Sequence, residues 1–163
     1  MKKVVLFLMG VSCVWQLHAA NQYVTPTGVD SQDGLSWATA KATIQVAIDA
    51  AEEGDTVKVA EGVYNQAIKT KKHVHVYGGY SATTGERNVD AYFTILDGTG
   101  LKTVLINQSA TFKDTTCFDG LILQNAQNTS AGGGVVLKAK GVLRNCTIRN
   151  CYTDGNGGGV SND

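Results

Sequence analysis

Five residues in one short stretch carry groups suited to acid–base or metal chemistry: Lys69, Lys71, Lys72, His73 and His75. A positioned lysine can serve as a general base, and two histidines at i and i+2 of a strand share a face, as a zinc pair would require. No third ligand is evident nearby. Lysines at a strand edge also discourage pairing with another sheet, so a solvated loop and edge is the preferred reading. For a metal, the candidates are Asp30 and Asp33 in Val29-Asp30-Ser31-Gln32-Asp33-Gly34, which invite a calcium loop. The spacing fails the EF-hand pattern, because with Gly34 at its sixth position the first falls on Val29 and the twelfth on Ala40. A structural turn is expected there instead. Asp55 after Gly54 reads as a strand-opening turn, and Asp97, Asp114, Asp119 and Asp154 as Asx turns rather than ligands.

The glycine triplets beginning at Gly132 and Gly157 superficially suggest phosphate cradles. Neither is followed by a Lys-Ser/Thr pair or by a helical pattern, so turns with close backbone approach explain them better. Asn107, Asn128 and Asn145 open Asn-x-Ser/Thr triplets, taken as incidental. Of the four cysteines, Cys13 lies in the N-terminal segment expected to be removed on export, and Cys117, Cys146 and Cys151 remain as an odd number of thiols, so at least one stays unpaired. Cys146 and Cys151, five apart in or beside one strand, are expected on opposite faces, which leaves buried stacked thiols as the default.

The elements that must position these groups begin behind an export signal. Lys2 and Lys3, an apolar run from Val4 to Trp15, and Leu17-His18-Ala19-Ala20 form the charged, greasy, small-residue layout of a secretory signal peptide over residues 1–20. About 12 apolar residues fall short of the ~20 that span a membrane, so no integral span is expected after cleavage. The chain of 163 residues has 14 basic and 14 acidic side chains. Losing Lys2 and Lys3 leaves a formal charge of −2 with no basic block, which argues against nucleic acid as a partner.

After the signal, Asn21 to Thr25 reads as a short strand stopped by Pro26, followed by a polar turn region to Ser36. Ile44, Ala47, Ile48 and Ala51 then fall at helical spacing. A helix is predicted from Thr43, its N-cap, to Glu53, with Gly54 as the left-handed residue past its end and Trp37 packed nearby. Residues 21–54 thus form an opening strand, loop and capping helix. From residue 55 to 163 only short strand-like runs follow: Thr56–Ala60, His73–Tyr77, Thr94–Leu96, Thr103–Ile106, Gly120–Leu123, Gly134–Leu137 and Gly141–Ile148. Runs this short must stack on neighbours to be stable.

An internal repeat says how they stack. Sliding the chain along itself until Leu123 falls on Ile148 also brings Asn125 to Asn150, and Gly132-Gly133-Gly134-Val135 to Gly157-Gly158-Gly159-Val160. A period of about 25 residues with several strands per unit fits a β-solenoid and excludes the longer helical repeats. Asn125 over Asn150 is expected as an inward asparagine ladder at a turn. The helix would cover the open first coil with its apolar stripe, whereas the last coil, breaking off at Asp163, is expected to be cut short.

At these residues the chain resembles the pectin-lyase-like, right-handed parallel β-helix superfamily, in particular its large bacterial cell-surface members. The resemblance rests on Tyr23 to Gly28, Asp33 to Ala40, Thr43 to Ala51, Gly54 to Tyr64, Val76-Tyr77-Gly78-Gly79-Tyr80, Thr94-Ile95-Leu96-Asp97-Gly98 and Asn145-Cys146-Thr147-Ile148. It implies an all-β, right-handed parallel β-helix, a solenoid with coils of about 25 residues and an N-terminal capping helix. It also implies a secreted or cell-surface location and a polysaccharide or surface glycan as partner. The fold hosts both adhesive modules and enzymes. A non-catalytic glycan-binding or adhesion module is the expectation, with no cofactor evident. The alternative is a polysaccharide lyase, pairing a Lys or Arg base with calcium held by Asp or Glu, whose site lies on coils beyond Asp163.

Overall fold

The computed structural model describes residues 19–70, 72–101, 103–108, 115–130 and 132–162. The signal segment, except Ala19 and Ala20, lies outside the described residues, as do Lys71 and Asp114.

The architecture is mostly β, with every strand-to-strand pairing between named strands parallel. The first sheet has the order β1 (Asn21–Val24), β2 (Thr56–Ala60), β5 (His75–Tyr80), β8 (Thr116–Asp119), β12 (Gly141–Arg144). The second joins β3 (Gly62–Tyr64), β6 (Thr94–Asp97), β9 (Leu121–Gln124) and β13 (Thr147–Arg149), and the third β4 (Ile68–Thr70), β7 (Leu105–Asn107), β11 (Val135–Leu137) and β15 (Val160–Asn162). A small fourth sheet pairs β10 (Gln127–Asn128) with β14 (Tyr152–Thr153). The chain visits the first, second and third sheets in that order four times from β2 onward, an arrangement compatible with a β-solenoid.

Alternation within each strand sends one set of side chains inward. Val57, Val76 and Phe118 stack as neighbours in the first sheet, Tyr64, Leu96 and Leu123 in the second, and Ile68, Leu105 and Val135 in the third, all at most 3% exposed. One polar rung sits among them, where the Thr70 hydroxyl donates to Asn107 Oδ1 at 2.9 Å. Asn107 is fully buried.

The repeat visible in the sequence holds only for the last step. In the first sheet Val57 pairs with Val76, Val76 with Phe118 and Phe118 with Leu143, and only the step from Phe118 to Leu143 matches the offset that carries Leu123 to Ile148. The step from Val57 to Val76 is shorter and that from Val76 to Phe118 much longer. Segments of different length between strands, including the long 81–93 loop, account for the spread. The glycine triplets pair backbone to backbone at the regular step: Gly133 N–H donates to Gly157 O, Gly134 N–H to Gly158 O and Val135 N–H to Gly159 O. A Cβ on Gly133 would lie 2.5 Å from both Gly158 O and Tyr152 O, so close approach is what requires glycine there.

The helix α1 runs from Ile44 to Ala50, with Thr43 as N-cap accepting from the Val46 N–H. It is shorter than the spacing predicts. Ala51 is already extended, the Asp55 carboxylate captures the Glu52 N–H, and Gly54 turns left-handed (φ 89°) beyond the cap rather than ending the helix. The expected apolar stripe is in place: Ile44, Ala47, Ile48 and Ala51 are buried in one cluster with Val24, Val57 and Val59.

Three further expectations about the strands and their bends need correction. Gly141–Ile148 is two strands, because Asn145 adopts φ 47° and turns the chain from the first sheet to the second. Asn125 and Asn150 do stack, with Asn150 Nδ2 donating to Asn125 Oδ1 at 3.4 Å, but the contact is exposed rather than inward. Both residues have positive φ (61° and 52°), so the bend turns the asparagines outward and the next residues inward. For the same reason Cys146 and Cys151, each just after such an asparagine, face the same core rather than opposite faces.

Candidate functional site

The pleat that buries Val57 and Val76 exposes Lys58 and Tyr77, and register then assembles an outer ladder across all five strands of the first sheet. Tyr23 pairs with Lys58, Lys58 with Tyr77, Tyr77 with Asp119 and Asp119 with Arg144. At about 4.8 Å between strands the ladder spans about 19 Å. No single segment carries it, since its members are contributed by five separate strands.

Three neighbours widen the ladder into a strip. The Trp37 ring meets Tyr23 edge-on at 4.8 Å between centroids and tilts against Tyr80 at 5.6 Å. Trp37 therefore packs on the outer face, and not beside the helix as its sequence position suggests. Gly85 presses on it from the 81–93 loop, close enough that a Cβ would lie 2.9 Å from Trp37 Nε1. Lys58 Nζ sits 5.5 and 5.8 Å from the Tyr23 and Tyr80 rings, and the Arg87 guanidinium 5.4 and 5.6 Å from those of Tyr77 and Tyr80. These are cation–π distances. Arg87 also ion-pairs with Asp119 at 2.6 Å and donates through Nε to Gly78 O at 3.0 Å.

Electrostatics on the strip follow from this packing. Burial raises the Tyr77 and Tyr80 hydroxyls above their ordinary pKa, which keeps both as neutral donors. Burial also acts to raise Asp119, but hydrogen bonds from Arg87 and Asn145 outweigh it and hold the carboxylate below the usual range. Tyr23, Trp37, Tyr77 and Tyr80 thus form apolar ring surface interleaved with fixed cations. Such a surface suits a ligand with apolar faces and many hydroxyls.

The residues singled out in the sequence are distributed elsewhere. Lys72 Nζ donates to Ala51 O at 2.7 Å and Asp49 O at 3.2 Å and so caps α1. His73 and His75 do lie together, rings 4.8 Å apart, at the margin of the strip, where His75 stacks on Tyr77. His75 Nδ1 accepts the Cys117 N–H, and burial, with the His73 charge, lowers its pKa. The Lys69 N–H is bonded to Gln45 Oε1, tying β4 to α1.

Asp30 accepts from the N–H groups of Ala42 and Thr43 and from the Thr43 hydroxyl, which fixes the approach to α1. Asp33 closes an Asx turn on the Leu35 N–H, the chief cause of its lowered pKa. Asp97 is held at about 2, first by the Thr99 hydroxyl and then by Gln124, whose own oxygen accepts from Arg149. Asp154 accepts from the Tyr152 hydroxyl. Among the described residues no group of three or more His, Cys, Asp or Glu is placed to hold a metal ion. Cys117, Cys146 and Cys151 are free thiols, Cys117 being on the outer face beside His75 and Tyr77. Burial raises the Cys117 and Cys146 thiols, so neither is an activated nucleophile.

What the sequence reading missed is the strip itself. Its signal was present in the alternate positions of Thr56–Ala60 and His75–Tyr80, but aligning those positions with one another and with Thr116–Asp119 needed two unequal steps, which no repeat in the sequence displays. Among the described residues no helix is long and apolar enough to cross a membrane. No family model, curated protein or solved structure matches the chain, so the residues of the strip stand on their geometry alone.

Proposed function

We propose that the chain is a right-handed parallel β-helix module of the pectin-lyase-like kind, exported to the cell surface or medium, which holds a glycan against the outer face of its first sheet. Four passes through the same three sheets support the architecture, and parallel crossovers are right-handed in about 98% of cases. The charged, apolar and small-residue segments of residues 1–20 support export. The observation that carries the function is the aromatic strip of Tyr23, Trp37, Tyr77 and Tyr80 with Lys58 and Arg87 set between the rings. Sugar rings present C–H faces that stack on aromatic side chains, and their hydroxyls accept from lysine and arginine. An extended strip fits a polymer better than a single small molecule.

Trp37 lies within the strip and reports on it directly. Titration of the exported protein with neutral and acidic polysaccharides should change Trp37 emission saturably for at least one of them. Tyr77→Ala and Lys58→Ala should each weaken that binding by about tenfold, or ~1.4 kcal/mol. Absence of binding across the panel, or binding indifferent to both substitutions, would overturn the reading. Release of an unsaturated product from polygalacturonate or alginate with calcium would replace it with a lyase.

A further inference from the structure

Around the corner from the strip, the 81–93 loop and the second sheet enclose a cleft of about 380 Å³. That volume lies within the range of about 300–1,000 Å³ usual for small-ligand sites. Its lining includes Asp90, Phe93, Gly120, Ile122, Asn145 and Thr147. The cleft and the strip share their wall. Val89 lines the cleft while Arg87, two residues earlier, lies over Tyr77 and Tyr80, and a Cβ on Gly120 would meet Val89 at 2.7 Å and Arg87 Nη2 at 3.1 Å.

The chemistry of the cleft differs from that of the strip. Asp90 is its charged lining residue, it is exposed, and its carboxylate makes no hydrogen bond or ion pair among the described residues. Phe93 is 51% exposed beside it and gives the lining an accessible aromatic face. Asn145 commits its Nδ2 to Asp119, which leaves its Oδ1 as an acceptor, and Thr147 offers an exposed hydroxyl. Thr94 contributes no polar group, because its hydroxyl already donates to Val59 O or Ala60 O and accepts from the Gly79 N–H. The site therefore combines a negative acceptor pair, an amide oxygen, a hydroxyl and an aromatic face; among its described lining residues there is no cation, and Arg87, behind Gly120, is paired with Asp119.

We infer that this cleft binds an uncharged sugar unit, its adjacent hydroxyls donating to Asp90 and its apolar face lying on Phe93, and that it excludes uronates. A carboxylate accepts two hydroxyl hydrogens at once, and such charge-assisted bonds are roughly twice as strong as neutral ones. A uronate carboxylate brought to the same place would meet the unpaired Asp90 carboxylate, while the Arg87 charge behind Gly120 is already committed to Asp119. The inference rests on the proposed glycan function and adds a second subsite with its own selectivity, for a neutral branch or chain end of a polymer lying on the strip.

Amide spectra of the exported protein, titrated separately with methyl glucoside, methyl galactoside, methyl mannoside and galacturonate, test the cleft without a polymer. At least one neutral glycoside should perturb Phe93, Gly120, Asn145 and Thr147 with millimolar affinity, and galacturonate should bind at least fivefold more weakly. Asp90→Asn and Phe93→Ala, both at exposed positions, should each weaken the neutral sugar at least fivefold, with the remaining spectrum unchanged. No perturbation by any neutral glycoside, equal binding of galacturonate, or indifference to Asp90→Asn would overturn the inference. Lys58→Ala separates the two readings: it should reduce polysaccharide binding and leave monosaccharide shifts intact. Polysaccharide binding that responds to Lys58→Ala while the cleft stays silent would remove the cleft alone.

Discussion

Arg87 and Asp119 are 32 residues apart in the chain and 2.6 Å apart in the fold, Nη2 to Oδ1. The pair joins the 81–93 loop to the outer ladder of the first sheet. Because the guanidinium also covers Tyr77 and Tyr80 and donates to Gly78 O, one side chain fixes the loop, orders two rings and places a cation among them.

Replacing Arg87 by Gln should therefore cost more than an isolated surface ion pair, whose usual worth is about 0.2–1 kcal/mol. The side chains of the pair are 31% and 13% exposed, so partial desolvation and the lost ring contacts bring the expected cost to about 1–2 kcal/mol. Urea denaturation reads the total. Hydrogen exchange should quicken at Ser81 and Asn88, whose N–H groups bond within the loop and to Gly79 O, and not at Val135. Uniform acceleration everywhere would count against a local tether.

His75 sets a pH dependence. Its folded pKa is lowered, so near and below the ordinary value of about 6.5 the unfolded chain binds more protons than the folded one. Stability from this group is present above about pH 6.5 and is lost as pH falls through the lower folded value. In His75→Asn the amide oxygen can still accept the Cys117 N–H without titrating. Thermal melts at pH 7.5 and 5.5 should show a smaller loss for the variant than for the wild type. Equal losses would show that His75 is not the group responsible.

Gly133 and Gly158 occupy the same place in consecutive repeats but meet different surroundings. A Cβ at Gly133 would clash with two carbonyl oxygens at 2.5 Å, whereas at Gly158 the nearest atom is Cys151 O at 3.6 Å. Gly133→Ala should destabilise by about 2–3 kcal/mol through forced separation of the paired backbones, and Gly158→Ala by well under about 1 kcal/mol. Paired denaturation curves measure the contrast, and similar losses at both sites would contradict the stacking.

Lys72 bonds the last carbonyls of α1, and its substitution separates capping from a part in binding. Lys72→Met keeps the apolar stem and removes the ammonium group, at an expected cost of about 1 kcal/mol with no effect on the proposed glycan binding. A loss of affinity at unchanged stability would return Lys72 to the list of functional residues.

The parts of the fold readable in the sequence were those carried by local pattern. The Thr43 cap, the Ile44, Ala47 and Ile48 stripe and the Gly132/Gly157 repeat each lie within a few residues of their own signal or at a constant offset. The helix end was not readable, because what stops it is Lys72 and Asp55 arriving from outside. Strict alternation puts Cys146 and Cys151 on the wrong faces because a left-handed asparagine before each resets it. The strip was hidden for a third reason. Tyr23, Lys58, Tyr77 and Asp119 are individually unremarkable alternate residues, and only an irregular register makes them adjacent.

That irregular register has an evolutionary consequence. Val57, Val76 and Phe118 stay stacked although the second step along the chain is far longer than the first, so the length of the excursion between strands is nearly invisible to the interior. Insertions can therefore be tried, lengthened or discarded without re-solving the packing problem. The 81–93 segment is such an excursion, and whatever surface it carries can be exchanged while the scaffold beneath keeps its packing.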